Sequence, residues 1–215
     1  VRFGKWREIA EAPMPENAEL YCVSTSMHHY AKGVAYAAMK QFTAAESQKT
    51  CFYDSLQRIS PTRKFFNNPA LQTLGVGEKM LLGELEHHKG NHEVAFEHLR
   101  EAVQRSDSLH YSEPWPWMHP PRHALGALLM EQGQHAEAEK VYREDLGLSD
   151  TVLRCAQHPN NVWALHGLVE CLTNRGETEE SGNFTTLLES AIAKADFTVT
   201  SSCCCREKVR DPAVL

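Results

Sequence analysis

The chain has 215 residues, 42% of them hydrophobic and 23% charged, which is the composition of an ordinary folded protein and excludes intrinsic disorder. Its net charge of −6 leaves no basic excess of the kind nucleic-acid binders carry. No apolar stretch approaches the roughly 18–20 residues needed to span a bilayer, and the opening VRFGKWREIA has no signal-peptide core. Seven cysteines, an odd number, argue against a disulfide scaffold and for reduced thiols in a cytoplasmic protein. The chain opens without Met and in mid-element, which points to a fragment or a processed product.

In chain order, Gly4, Trp6 and Ile9 read as the remnant of a helical repeat over 1–12. Pro13 and Pro15 then precede a helix over about 18–39. Thr43 and Glu46 make a T-x-x-E capping box for a helix over about 44–58. Helices follow at 70–88 and 92–105, with Asn91 as N-cap of the second. Gly75-Val76-Gly77 disturbs the first of these and follows no strand, so it is not a nucleotide loop. Pro120 and Pro121 open a helix over 122–132, and another covers 136–146. The last two cover 162–175 and 179–194, with Glu179 and Glu180 in a first turn where the helix dipole favours acids. Only Phe197–Thr200 alternates like a strand, too briefly to carry a sheet. The fold class is therefore all-α.

One spacing recurs. Leu82-Gly83 is followed by Gly90 and Ala95, and Leu125-Gly126 by Gly133 and Ala138 at the same intervals. Leu168, Gly176 and Ser181 form a degenerate copy. Gly33, Lys40 and Ala45 form another, with Lys where the turn glycine belongs. The physics is that of an antiparallel helical hairpin: a small residue admits the second helix closely, and a left-handed residue ends the first.

These residues resemble the tetratricopeptide repeat, W-x2-L-G-x2-Y…G…A-x3-F…P over 34 residues. Leu82-Gly83…Gly90…Ala95…Leu99…Ala102 and Leu125-Gly126…Gly133…Ala138…Tyr142 fit well. Lys40 departs, Thr185 stands where an aromatic is usual, and Trp163 to Gly176 is two residues too long. HYAKGVAYAAMKQFTAAE, RHALGALLMEQGQHAEAEKVYREDL and the tail KADFTVTSSCCC look like the C-terminal part of a group of bacterial and fungal proteins of this class. The resemblance implies a superhelical solenoid over 13–196, with hairpins at about 18–58, 70–105, 121–146 and 162–195, and a tail over 197–215. Extra residues at 59–69, 107–118 and 147–157 fall between hairpins.

In such arrays the first helix of each hairpin lines a concave groove. By alignment to the turns, the lining residues here are Tyr30, Met80, Glu84, His87, His88, His123, Met130, Glu131, Trp163, His166 and Glu170. A clamp for an acidic tail would need Lys and Asn there. Glu84, Glu131 and Glu170 instead repel carboxylates and favour an apolar or basic partner.

No catalytic signature is present, so the leading expectation is a protein-binding scaffold that holds a peptide or protein segment in its groove without a cofactor. A second reading is a Zn or Fe site, or a metal-dependent enzyme, built from Glu84, His88, His123, His166 and Glu170. A third is a structural spacer or a self-associating arm. In Trp115-Pro116-Trp117 the two rings are expected to cover a hairpin junction. Cys22, Cys51, Cys155 and Cys171 are expected to be small buried hydrophobes. One or two of Cys203, Cys204 and Cys205 are expected to pack against the last helix, and the run is not expected to bind metal.

Overall fold

In the computed structural model, which describes residues 1–206, every turn position singled out by the spacing is left-handed. Gly4, Lys40, Gly90, Gly133 and Gly176 have φ of 63°, 59°, 93°, 71° and 78°. At the last four, the next amide donates to the carbonyl five residues back: Gln41 to Tyr36, Asn91 to Glu86, Gln134 to Leu129 and Glu177 to Leu172, at 2.8–3.0 Å. This is the Schellman closure, which satisfies carbonyls that the helix end would orphan. The following helix starts two residues on each time.

The described residues are all-helical apart from one small ribbon. They divide into two units. The first, residues 1–121, contains α1 (Trp6–Glu11), α2 (Cys22–Ala38), α3 (Phe42–Leu56), α4 (Ala70–Lys89) and α5 (His92–Asp107). Between α3 and α4 the strands β1 (Lys64–Phe65) and β2 (Asn68–Pro69) pair antiparallel. Helix α2 packs on α3, α4 on α5, and α2 on α4. Val34, Phe52, Leu74, Leu81 and Leu99 form the buried interior. At Gly83 a Cβ would lie 3.1 Å from the Ala95 carbonyl and 2.5 Å from Leu99, which is the close helix approach the spacing implied.

The second unit, residues 122–206, contains α6 (Pro121–Glu131, whose first residue falls in the other unit), α7 (His135–Leu146), α8 (Val162–Asn174) and α9 (Thr178–Ile192). Leu128, Leu129, Leu165, Leu168 and Leu172 are buried in it. Asn161 caps α8, its side chain accepting from the Trp163 and Ala164 amides. Residues 207–215 of the expected tail lie outside the described residues.

Several local expectations are corrected. Helix α2 starts at Cys22, not near 18, because 18–21 form a turn held by Asn17. Thr43 lies inside α3, whose N-cap is Gln41, so the capping box does not form. Asn91 sits at the N-cap of α5, but its amide donates to Glu86 instead of capping. Gly75 and Gly77 do not disturb α4, which runs unbroken. They make room for Arg105 and for the Trp117 ring, which would meet added Cβ atoms at 2.9 and 2.5 Å. Residues 197–200 form no strand. Trp117 is buried as expected, whereas Trp115 is 43% exposed. Cys155 is exposed and Cys51 only half-buried, while Cys22 and Cys171 are buried. Cys203 and Cys205 are buried and Cys204 half-buried.

Candidate functional site

Helix α8 places Trp163, His166 and Glu170 at i, i+3 and i+7, hence on one face over about 10 Å of axis. Residues 197–206 lie against that face. The Phe197 ring stacks on Trp163, centroids 4.9 Å apart and planes 22° apart. Arg206 donates from both terminal nitrogens to the two Glu170 oxygens at 2.9 Å. The His166 Nδ1 is 4.0 Å from Glu170 Oε2. Residues 197–206 thus run along α8 from Trp163 to Glu170, with a 3₁₀ turn over Cys204–Arg206.

A third hold comes from beneath. Tyr142 on α7 is fully buried, and its ring end lies between Gly126 on α6 and Gly167 on α8. A Cβ at either glycine would come within 2.5 or 2.2 Å of Cζ. Two missing side chains therefore open a slot for the phenol. Its hydroxyl emerges 2.6 Å from that of Ser202, which is itself buried. Burial pushes the Tyr142 phenol well above its usual range despite the Ser202 hydrogen bond, so it remains a neutral hydroxyl. Beside the stacked rings, Val162, Leu187, Ala191, Lys194 and Phe197 line a depression of about 460 Å³.

His123 has a different environment from that expected. Its Nε2 donates to Asp145 Oδ2 at 2.9 Å, and His158 Nδ1 donates to Oδ1 at 2.9 Å. His123 and Asp145 are fully buried. The His158 amide also reaches the Asp145 carbonyl, so the carboxylate pins the segment between α7 and α8. Asp145 would be raised by burial, but the His123 charge and both imidazole hydrogen bonds prevail and lower it. Neither Asp145 nor His158 was legible as His123's partner. Met130 is buried with Sδ 3.4 Å from His135 Nδ1, and Glu131 is exposed.

In the first unit the expected lining residues are largely interior. Tyr30 and Met80 are buried, and the Tyr30 hydroxyl and the Trp117 Nε1 both point at the Met80 sulfur, at 3.8 and 3.1 Å. Tyr30 and Trp117 meet edge-on, 5.1 Å apart. Glu84 is fully buried with no hydrogen bond to either oxygen, and burial pushes its carboxyl up to about 8. His87 is buried and His88 half-buried, their rings 5.7 Å apart, and His87 Nδ1 faces His92 Nδ1 at 3.3 Å.

As a lining for a ligand, then, Tyr30, Met80, Glu84, His87, His123 and Met130 are occupied by the interior. Glu131 is exposed and His88 half-buried, while Trp163, His166 and Glu170, also half-buried, are the ones that share a single helix face. Among the described residues no three His, Cys, Asp or Glu side chains are grouped to hold a metal ion. No helix of the described residues is long and apolar enough to cross a membrane. The chain matches no family model, no curated protein and no solved structure.

Proposed function

We propose that this chain is a tetratricopeptide-type interaction module that binds a segment of another protein along the Trp163–Glu170 face of α8. Five left-handed turns at the expected positions, the last four closed by the same backbone hydrogen bond, support the repeat reading. One observation carries the binding reading: the α8 face holds a peptide segment that belongs to no α-helix by an aromatic stack and a bidentate ion pair. An aromatic anchor and an acidic group are the side chains by which a groove selects a partner. Glu170 makes the favoured partner basic.

The test pans a displayed library of random linear peptides on two full chains. One is the wild type. The other carries Phe197→Ala with Arg206→Glu, which removes the two outer of the tail's three side-chain holds and leaves the Ser202–Tyr142 contact. Enriched sequences should lose at least about tenfold in affinity when Trp163→Ala is added, the usual cost of a central aromatic. No enrichment on either chain, or enrichment indifferent to Trp163, refutes the reading.

A further inference from the structure

We infer that residues 197–206 are an internal ligand that occludes the α8 face, and that their side chains define the partner that displaces them. That partner is an unstructured segment with an aromatic residue, a small hydroxyl residue five positions later and an arginine four beyond. The inference rests on the binding reading above and adds both the occlusion and the partner's chemistry.

Three contacts carry it, each selecting a different group. The Trp163 ring takes a flat apolar side chain in an offset stack, as Phe197 does. The Tyr142 hydroxyl reaches Ser202 only through the slot left by Gly126 and Gly167, and it meets a hydroxyl there. A larger side chain in place of Ser202 would collide with the phenol, and an apolar one would leave a buried hydroxyl unmatched. Glu170 presents both oxygens to a guanidinium fork, a geometry that arginine matches and lysine does not.

The same contacts show how the tail can leave. Its middle is buried, but its two ends are not. Phe197 and Trp163 are half-buried beside the open depression, and the Arg206 and Glu170 side chains retain 22% and 28% exposure. An incoming segment can therefore take one end before the other is released. The segment is joined to α9, which ends at Ile192, by a short connection over 193–196. Tethering gives it an effective concentration on the order of millimolar, which excludes weak competitors and admits only a segment of matched chemistry.

The experiment uses a fluorescent peptide of residues 196–206, read by anisotropy against full chains. It should bind the Phe197→Ala, Arg206→Glu chain at least about tenfold more tightly than the wild type, the margin expected when a tethered competitor is removed. Replacing the phenylalanine or the arginine in the peptide should cost about tenfold each. Equal binding to the two chains overturns the occlusion and leaves the binding reading standing. No binding to the opened chain, still helical by circular dichroism, overturns the binding reading itself. Hydrogen exchange on the wild type needs no variant. The Cys203 and Cys205 amides should exchange through a local opening, faster than those of Leu165 and Leu168. If they exchange only with global unfolding, the tail is a permanent cap and the inference fails.

Discussion

The hydroxyl of Tyr142 meets the hydroxyl of Ser202 at 2.6 Å across 60 residues of chain, and both side chains are buried. The contact exists because Gly126 and Gly167 leave the phenol a passage between α6 and α8. It joins the packing of a helical hairpin to the docking of the tail.

Tyr142→Phe should therefore destabilise by about 1–2 kcal/mol, because the Ser202 hydroxyl stays buried and loses its partner. Gly167→Ala should cost about 1–3 kcal/mol, since its Cβ would stand 2.2 Å from the Tyr142 ring in a fully packed site. Urea titration measures both. A neutral Gly167→Ala would show that the slot is not needed.

Asp145 lies between two imidazoles with its folded pKa lowered from 3.8. For a carboxylate so shifted, the stabilisation is present above the unfolded value and lost as pH falls through the folded one. Asp145→Asn should lose about 3–5 kcal/mol at pH 7, the usual result of removing one charge of a buried pair. Its stability should also depend less on pH below about 4. Thermal melts from pH 7 down to the acid limb decide it.

Glu84 has the opposite sign. Its carboxyl is pushed up to about 8 by burial, from 4.5 in the open chain. The folded protein keeps the proton while the unfolded chain releases it, so stability falls as pH rises from 4.5 to 8 and levels off above. Glu84→Gln should stabilise by about 1–3 kcal/mol at pH 7, with the gain vanishing near pH 4.5. A variant less stable than wild type at pH 7 would contradict the unpartnered burial.

Lys40 occupies a turn with φ of 59°, a conformation that costs an L-residue about 1–2 kcal/mol. Lys40→Gly should stabilise by roughly 0.5–1 kcal/mol after the extra entropy of the unfolded glycine is deducted. Gly90→Ala, at φ of 93°, should destabilise by at least about 1 kcal/mol. Chemical denaturation of the pair checks both signs.

The turns were legible because each is closed within six residues. Whether residue 40, 90, 133 or 176 is left-handed depends on its neighbours and on the carbonyl five positions before the next residue. Helix bounds near those turns were read to within one or two residues for the same reason. Capping was misread at Thr43 and Asn91, where a short motif competes with other polar partners: Asn91 donates to Glu86 instead.

Residue order and local spacing, then, determined an all-helical chain, its hairpin turns and the helix face that carries Trp163, His166 and Glu170. Tertiary structure alone decided which of the expected lining side chains are swallowed by the interior. It also decided that Asp145 stands between His123 and His158, and that the tail lies on α8. Those relationships join residues 13 to 60 positions apart. Local periodicity does not encode them, because they depend on how closely packed helices approach and on which missing side chains, at Gly126 and Gly167, let one reach through.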